Sequence, residues 1–277
     1  MICSTAMVHP NAKIHPTVKV GPYAVIGEFV ELGAGCEVGA HACLMGHTYA
    51  GEKNIFWAGS MIGGAPQDIK YKGEPTRLII GNGNVFREMA TVHVSNCLDE
   101  ETRIGDEGLF MINSHIGHNA VIGNRVIIAN GALVAGHVQI GDRAFISGNV
   151  TLHQFVRIGE LAIVQGLSAM SCDVPPYVTA CDRNAMAGLN SVGLRRAGIP
   201  LQARMELKQL YKLLFRSHLK RKEALAKAEE CFHSEQAKRM IEFVKSSKRG
   251  IVSDELMLRR DLFRGIETSD PVHEKEE

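Results

Sequence analysis

Several features of secreted and membrane proteins are missing from this chain of 277 residues. No stretch approaches the 18 apolar residues of a membrane span, and the N-terminal MICSTAMVHP lacks the basic region and apolar run of a signal peptide. The seven cysteines are scattered without a CxxC pair, which is typical of reduced thiols in the cytosol. We therefore expect a cytoplasmic protein with no transmembrane segment.

A strong overall charge is also missing, since the formal net charge is +1. The charge is unevenly distributed, because residues 195–249 carry 15 basic and 6 acidic groups whereas residues 1–194 carry 12 and 16. This segment has few aromatic residues that would stack on bases, so nucleic acid is a disfavoured partner. An excess of nine positive charges in one short segment instead favours an acidic protein partner.

What the chain does have is an apolar residue at almost every sixth position. From Val8 to Met170 this register contains 28 positions, and only Asp68 and Glu74 are not hydrophobic, although the chain as a whole is 45% hydrophobic. A period of six fits neither a helix nor a simple strand and is typical of a hexapeptide parallel β-helix. Three hexads make one triangular turn of about 18 residues, and successive turns pair as parallel strands about 4.8 Å apart.

The rest of the hexad agrees with this geometry. Small residues recur four positions after the aliphatic one and are expected to point into the narrow interior. Glycine, asparagine and aspartate recur between them, as in Gly21, Gly33 and Asp142, where we expect corners that need permissive dihedral angles. The coil should run from about Val8 to Val178, with loops thrown out at Gly63 to Leu78 and at about Ser95 to Arg103.

The pattern changes to helical spacing after Pro175 and Pro176. Pro200 predicts a helix start, and an apolar stripe continues that helix to about Ser217: Leu201, Met205, Leu210, Leu213 and Leu214. Further helices are predicted at about 222–232 and 234–247, with Gly250 as a stop. We divide the chain into a β-helix domain, 1–187, and a basic helical domain, 188–277, whose helices should cover the last coil. Residues 251–277 are charged and weakly patterned.

The 18-residue turn also predicts which side chains lie above one another. Gly136 stacks on His118, and Gln154 stacks on Gly136, while His137 and His153 flank these by one residue. His118, His137 and His153 should therefore lie on one edge within about 10 Å. A histidine without metal ligands is a general base near neutral pH, although any single one is also explained as an exposed corner residue.

Several longer motifs carry a family resemblance. MINSHIGHNAVIGN (111–124), ALVAGHVQIGD (132–142), HQF (153–155), DVPPYV (173–178), PQDIKYKGEPTRLIIGN (66–82) and GLNSVGLRRAGI (188–199) resemble the acyl-ACP:UDP-N-acetylglucosamine O-acyltransferases of lipid A biosynthesis, over about residues 8–250. The resemblance implies a left-handed coil, which crossover rules alone do not predict. It also implies a homotrimer that needs no metal or cofactor and uses two substrates: UDP-N-acetylglucosamine and a 3-hydroxyacyl group on the phosphopantetheine of acyl carrier protein.

The same resemblance implies a role for each matching residue. His118 would take the proton from the sugar 3-hydroxyl, and the Gly136 N–H would stabilise the oxyanion. Gly166 would mark the far end of the acyl groove and leave room for a long chain. The sugar, diphosphate, phosphopantetheine and nucleotide would be held by Asp68, Lys70, His93, His115, His137, His153, Gln154, Asn190, Arg195 and Arg196.

Three positions depart from the family pattern. Asn119 follows the base where well-known members have an acid, so either the base is weaker or another carboxylate takes the place of that acid. His93 is followed by Val94, Ser95 and Asn96 rather than by a basic turn. Val192 stands where an acid is common in the nucleotide site.

Other functions remain open from the sequence alone. An N-acyltransferase of the same pathway, or one acting on a 3-amino sugar nucleotide, would use the same fold. A non-catalytic scaffold that binds sugar nucleotide or carrier protein is a second class. A zinc enzyme resembling the trimeric carbonic anhydrases is a third, with His93, His115 and His118 as ligands.

Overall fold

The computed structural model describes residues 1–254, in which a parallel β-helix is followed by four α-helices. The strands are β1 (Met7–Val8), β2 (Lys13–Ile14), β3 (Lys19–Val20), β4 (Val25–Ile26), β5 (Glu31–Leu32), β6 (Glu37–Val38), β7 (Cys43–Leu44), β8 (His47–Ala50), β9 (Ile55–Phe56), β10 (Met61–Gly64), β11 (Arg77–Ile80), β12 (Val85–Phe86), β13 (Thr91–His93), β14 (Glu101–Ile104), β15 (Leu109–Phe110), β16 (His115–Ile116), β17 (Val121–Ile122), β18 (Ile127–Ile128), β19 (Leu133–Val134), β20 (Gln139–Ile140), β21 (Phe145–Ile146), β22 (Thr151–Leu152), β23 (Arg157–Ile158), β24 (Ile163–Val164), β25 (Ala169–Met170), β26 (Val178–Cys181), β27 (Ala185–Leu189) and β28 (Ser253–Asp254). The helices are α1 (Ser191–Arg196), α2 (Leu201–Phe215), α3 (Arg221–Cys231) and α4 (Glu235–Lys245).

Every third strand belongs to the same face of a triangular prism. One sheet has nine strands, from β1 through β4 and β7 to β25, and a second has eight, from β2 through β5 to β23. The third has eleven, because β26, β27 and β28 extend the series that starts at β3. Within the coil all pairings are parallel, and they keep one register, for example Ile116 with Val134, except between β10 and β13, where the register shifts between Ile62 and Gly64. The mainly β, hexapeptide-repeat prediction is confirmed.

The sixth-residue aliphatics fill the interior of the prism. From Val20 to Met170 almost all of them are buried, and Phe56, Phe86 and Phe110 stack with ring centroids 5.2 and 4.7 Å apart. The small residues four positions later, such as Ala120 and Ala132, are also fully buried. Because each turn buries its own share of apolar surface against the next, the core is continuous along the coil.

The glycines that follow several strands have a different role from the one predicted. Gly21, Gly33 and Gly141 do not adopt positive φ angles, so the corners do not need their conformational freedom. A Cβ atom at Gly33 would lie 2.6 Å from the Gly51 carbonyl oxygen of the next turn, and one at Gly141 would lie 2.6 Å from the Glu160 nitrogen. At Gly33 and Gly141 glycine is therefore required by the close stacking on the next turn, whereas Met45 and Trp57 occupy the same position elsewhere in the coil.

The left-handed corner residue lies two positions further on and is usually not glycine. Asn119 and His137 have φ angles of 58° and 59°, and the same conformation recurs around the coil at residues such as Tyr23 and Leu161. This backbone geometry costs free energy at each corner, but it belongs to the coil as a whole. The positive φ of Asn119 and His137 is thus no evidence of a site.

Two loops interrupt the turns, close to where the sequence predicts them. Thr91 pairs with Met61, 30 residues earlier, and His115 pairs with Thr91, 24 residues earlier, instead of the regular 18. The first loop, residues 65–76, joins β10 to β11, and the second, residues 94–100, joins β13 to β14. Both leave the prism at the corner between the nine-stranded and eight-stranded sheets.

The last coil is covered by strands as well as by helices. β26 is extended by antiparallel pairing with β27, and β27 pairs in turn with β28, so strand pairing covers this edge, where the sequence predicts helices alone. Charged groups then hold α4 on the coil: Arg157, which donates to the buried Asp173 carboxylate at 3.0 Å, also donates to the Phe243 carbonyl at 3.0 Å, and Arg239 donates to Glu160 at 2.9 Å. The exposed Arg239–Glu160 pair contributes little stability, and the buried Asp173 carboxylate needs its partner Arg157.

The helix predictions hold in position but not in every detail. α2, α3 and α4 lie close to the predicted ranges, although Pro200 is the residue before the first helical turn of α2. The predicted stripe is wrong at Leu201 and Met205, which are 62% and 53% exposed. The buried face contains Leu207, Leu210 and Tyr211 instead. A helix with apolar residues on two faces allows both interpretations, and packing against α3, α4 and β27 selects one.

The domain division at residues 187 and 188 falls inside β27 and stays a prediction. The part of the predicted helical domain from residue 255 to 277 lies outside the described residues, as does most of the weakly patterned segment 251–277. Among residues 1–254, no helix combines the length and apolar character needed to cross a bilayer.

The stacking role of glycine predicts unequal effects of two substitutions. Gly141→Ala places a Cβ against backbone of the next turn and should destabilise the fold by about 1–3 kcal/mol, the usual cost of overpacking. Gly148→Ala is the matched control, because its nearest neighbour would be the Asn130 carbonyl oxygen at 3.4 Å. Urea unfolding followed by circular dichroism measures both, and equal midpoints for the two variants would contradict the stacking role.

Candidate active site

One corner of the prism collects polar side chains. It lies between the nine-stranded and eight-stranded sheets, and we call it the histidine edge: the corner residues 118, 136 and 154 with their immediate neighbours. His118 lies there between β16 and β17. Both loops leave the coil at the same corner one and two turns earlier, so residues 65–76 and 94–100 lie beside His118.

The His118 imidazole is buried and held in one orientation. Its exposed fraction is 7%, and Nδ1 lies 2.8 Å from Asn119 Oδ1. Asn119 Oδ1 also accepts from the Asn96 N–H, so this atom is the amide oxygen and His118 Nδ1 carries the proton. Nε2 then has a free lone pair, which is the form required of a general base.

Gly136 lies next to this ring, as the 18-residue turn predicts. A Cβ atom at residue 136 would lie 2.6 Å from His118 Cε1 and 2.7 Å from Nε2. The glycine is therefore needed for the ring itself, and not only for the approach of a substrate. Any larger residue would push the imidazole out of this position.

The Gly136 N–H is available to a ligand. Within residues 1–254 no carbonyl or side chain accepts from it. The equivalent corner positions of early turns are Pro10, Pro16 and Pro22, which have no N–H at all, so the strand ladder does not use this donor. A free backbone donor beside a general base is the arrangement that stabilises an oxyanion.

His137 is the second ring at this edge, and His153 has other partners. The His118 and His137 rings meet edge to face with centroids 5.2 Å apart, and Phe155 stacks on His137 at 4.6 Å. His153 makes contacts with the Gln154 carbonyl and with Arg249. The predicted cluster is confirmed for His118 and His137 and stays a prediction for His153.

The first loop approaches the site through Asp68. Asp68 accepts from the Lys70 N–H at 2.9 Å and from Asn96 Nδ2 at 2.7 Å, and these bonds, with the nearby His118, lower the pKa of its carboxyl. Because Asn96 also donates to Asn119, Asp68 connects to the base through two asparagines. The Lys70 side chain is exposed beside it.

His93 and His115 form a pair one step away on the nine-stranded face. Their rings meet at 4.8 Å, and His115 Nδ1 lies 2.8 Å from Thr91 Oγ1. Burial, with the neighbouring His115 and His118, lowers the pKa of His93 to about 4. Burial and His118 also lower the pKa values of His115 and His137. All three rings are consequently neutral at pH 7 and serve as hydrogen-bonding groups.

A groove of about 650 Å³ runs along this face. Its walls combine hydrogen-bonding groups with the apolar side chains of Met89, Leu133 and Leu152. Five of the predicted site residues line it: His93, His115, His118, Gly136 and Gln154. The groove can thus accept a ligand with polar and hydrocarbon parts against a base and a free N–H.

Four predicted residues lie elsewhere in the same chain. Asn190 caps α1, where its Oδ1 accepts from the Gly193 N–H at 2.8 Å and its Nδ2 donates to the Leu161 carbonyl. Arg195 and Arg196 end that helix, and Gly166 lies at the corner after the eleven-stranded sheet. A single chain does not bring these four to His118.

The residues that hold Asn119 in place are not among those predicted from the sequence. Ser95 Oγ and Glu100 Oε2 accept from Asn119 Nδ2 at 2.8 and 2.5 Å, and the Asn119 N–H donates to Thr102 Oγ1 at 2.8 Å. These partners come from the second loop and the start of β14, which have no hexad period. The available signal was that Ser95 and Asn96 depart from the family pattern together with Asn119.

A metal centre finds no support within one chain. Among residues 1–254, no three or more His, Cys, Asp and Glu side chains are grouped so that they could hold a metal ion. Within this described part of the chain, His93, His115 and His118, the rival set, do not form such a group.

Known proteins match the chain over most of its length. The description "Udp N-acetylglucosamine O-acyltransferase; Domain 2" matches residues 173–252, and "Bacterial transferase hexapeptide (six repeats)" matches 11–46 and 101–136. A protein of Anaeromyxobacter sp. (strain Fw109-5) named acyl-[acyl-carrier-protein]--UDP-N-acetylglucosamine O-acyltransferase is 44% identical over 75% of this chain and 82% of its own. A protein of the same name from Burkholderia lata is 41% identical over 73% and 80%.

Comparison with solved structures agrees with these sequence matches. The crystal structure of the Francisella novicida UDP-N-acetylglucosamine acyltransferase superposes with a TM-score of 0.89, at 34% identity, over 92% of this chain and 95% of its own. The left-handed coil that the resemblance implies is consistent with these matches.

The lowered pKa of His93 predicts how stability depends on pH. The folded protein resists protonation of His93 down to about pH 4, whereas the unfolded chain takes up this proton near pH 6.5. The stabilisation that neutral His93 gives the folded state is therefore complete above pH 6.5 and is lost as the pH falls toward 4. His93→Gln should make the thermal midpoint fall less steeply over that range than in the parent. Parallel pH profiles of the two proteins would contradict the buried neutral state.

Proposed function

The chain belongs to the UDP-N-acetylglucosamine O-acyltransferase family, and on that premise we propose that it transfers a 3-hydroxyacyl group from acyl carrier protein to the 3-hydroxyl of UDP-N-acetylglucosamine. This is the first step of lipid A biosynthesis, and we assign it to the cytoplasm. The observation that carries the proposal is the pairing of a buried, oriented imidazole, His118, with the unbonded N–H of Gly136.

His118 acts as the general base. Its Nε2 accepts the proton of the sugar 3-hydroxyl as O3 attacks the thioester carbonyl carbon. The resulting tetrahedral intermediate collapses with cleavage of the carbon–sulfur bond, and the leaving thiolate takes the proton from Nε2. No covalent enzyme intermediate forms, and His118 ends the cycle neutral.

Gly136 stabilises the negative charge that develops on the thioester oxygen. Its N–H is fixed by the coil, so no reorganisation is needed when the charge appears. Removing one such donor typically costs about 10²–10³ in kcat. The contact of the ring with residue 136 supports this assignment, since it puts base and donor side by side.

The polar groups around the base hold the sugar nucleotide and the arm of the donor. Asp68 and Lys70, from the first loop, serve the sugar and its diphosphate, together with the neutral rings of His93 and His115. The groove position of Gln154 supports a role beside the reacting groups. His137 and His153 complete the set that the family resemblance implies.

A neighbouring subunit supplies the remaining residues, and we propose a homotrimer. Asn190, Arg195 and Arg196 would bind the nucleotide, and Gly166 would end the acyl groove, from across the interface. In support, outward side chains of the eleven-stranded sheet form an unbroken apolar column, in register over six turns: Ile55, Val85, Leu109, Ile127, Phe145 and Ile163. Such a column on a surface marks an interface between proteins.

Acyl carrier protein would dock on α2. Arg204, Lys208 and Lys212 recur every four residues and therefore follow one face of this helix. The exposed Met205 lies beside them. A basic row with an apolar neighbour suits an acidic carrier protein, because charge steers the encounter and the apolar contact holds it.

Purified protein, UDP-N-acetylglucosamine and a panel of 3-hydroxyacyl carrier proteins should give an O-acylated sugar nucleotide, detected by mass spectrometry. His118→Ala should lower the rate by at least about 10²–10⁴, the usual contribution of a general base. Lys227→Ala, on the exposed face of α3, is a surface control. No product with any donor would overturn the assignment, and an amide product formed only with a 3-amino acceptor would correct the substrate.

Light scattering should give a solution mass of about three times 30.3 kDa for the parent. Ile127→Glu places a charge in the apolar column and should shift the mass toward that of one chain, because an unpaired charge is costly at an interface. Ile127→Val keeps the column apolar and should stay trimeric. A parent that is monomeric at micromolar concentration would contradict the trimer.

A further inference from the structure

The amide of Asn119 can adopt only one orientation. Its Oδ1 lies 3.0 Å from the Asn96 nitrogen, which only donates, and its Nδ2 lies 2.5 Å from Glu100 Oε2, which as a carboxylate only accepts. A flipped amide would face a donor with a donor and an acceptor with an acceptor. Glu100 and Asn96 therefore decide which atom of Asn119 faces His118.

This orientation controls the tautomer of the base. With Oδ1 toward the ring, His118 Nδ1 must carry its proton as the donor in the 2.8 Å bond, and Nε2 stays free for the sugar hydroxyl. With the amide reversed, Nδ1 would accept and Nε2 would hold the proton. A base in that tautomer has no lone pair to offer the substrate.

We infer that Glu100 is a positioning residue for His118 that acts through Asn119. The Glu100 carboxylate accepts from the Asn119 amide nitrogen, and the Asn119 amide oxygen accepts from the His118 imidazole. The negative charge of Glu100 therefore acts on the imidazole through one intervening side chain. This inference rests on the proposed role of His118 as the base. It also identifies what replaces the acid that directly follows the base in well-known relatives.

Two further hydrogen bonds hold Asn119 in place. The second Nδ2 hydrogen goes to Ser95 Oγ at 2.8 Å, and the Asn119 N–H goes to Thr102 Oγ1. All hydrogen-bonding groups of the side chain are thus used, within a site where Asn119 is 5% exposed. The Glu100 side chain is 54% exposed at the mouth of the site, with Oε2 3.5 Å from His137 Nδ1.

Other titratable groups also face His118. Asp68 approaches from the first loop, His93 and His115 from the nine-stranded sheet, and His137 from the next turn. The three histidines have lowered pKa values and carry no charge at pH 7. Asp68 and Glu100 are therefore the carboxylates that can stabilise an imidazolium at residue 118, and only Glu100 is linked to the ring through a single amide.

Glu100→Gln separates charge from shape. The side-chain oxygen of the new amide at position 100 can still accept a hydrogen bond from Asn119 Nδ2, but the negative charge is gone. We expect kcat to fall about tenfold, which corresponds to about 1.4 kcal/mol of lost transition-state stabilisation, with KM for the sugar nucleotide within about twofold of the parent. The acidic limb of the kcat profile should move to lower pH, because an imidazolium without a nearby anion loses its proton more readily.

A paired substitution provides the decisive test. Asn119→Asp alone brings two carboxylates together and should be more damaging than Glu100→Gln, with its acidic limb displaced. When Asn119→Asp is combined with Glu100→Gln, the new amide at position 100 donates to the new carboxylate at position 119, which accepts directly from His118. This double variant should be at least about tenfold more active than Asn119→Asp. If the two damaging substitutions acted additively, the double variant would instead be less active than Asn119→Asp.

Asp99→Asn is the matched control, since it removes a negative charge from an exposed neighbour without a contact to Asn119. It should behave like the parent. The inference is overturned if Glu100→Gln keeps the parental rate and pH profile, if Asp99→Asn has the same effect, or if the double variant is no better than Asn119→Asp. Circular dichroism checks that each variant is folded.

The outcomes also separate this inference from the proposed function. A parent without transfer activity would contradict the proposed function itself. Transfer that is lost in His118→Ala but unchanged in Glu100→Gln would agree with the proposed function and would contradict only the positioning role of Glu100.

Discussion

The fold and the site both depend on the in-register stacking of one turn of the coil on the next. Parallel pairing fixes Ile116 beside Val134, and the two corner residues that follow, His118 and Gly136, then have no freedom to lie apart. The base and the backbone donor are separated by 18 residues in the sequence, yet their proximity follows from a regular repeat. A site that relies on ladder geometry is rigid before any ligand binds, which is what electrostatic preorganisation requires.

The same stacking explains how the loops are accommodated. The first loop lengthens one turn by twelve residues and the second lengthens the next by six, and the aliphatic register resumes in phase after each, at Ile80 and Ile104. The prism tolerates such insertions because they leave at a corner and do not enter the ladder. Both use the corner that carries His118, so the irregular parts of the chain supply the specific contacts and the regular part supplies the frame.

The periodic parts of the molecule could be predicted from the sequence, because each hexad repeats one physical requirement. The core, the extent of the coil, both loops and the neighbourhood of His118 and Gly136 follow from counting in sixes and eighteens. The support of Asn119 by Ser95, Asn96 and Glu100 could not be predicted, since a loop of seven residues has no repeat that fixes its contacts. The reason for the corner glycines was also missed, because a close approach between turns leaves the same sequence signal as a positive φ. The contact of His153 with Arg249 could not be predicted either, because Arg249 lies 96 residues away in a segment without the hexad repeat.

A crystal structure with bound UDP-N-acetylglucosamine tests the central claim most directly. If the stacked turn builds the active site, the sugar O3 lies within about 2.6–3.2 Å of His118 Nε2, on the side from which the Gly136 N–H is reached. A nucleotide bound elsewhere, or an O3 that contacts a different base while His118 Nε2 faces away from it, would contradict the account.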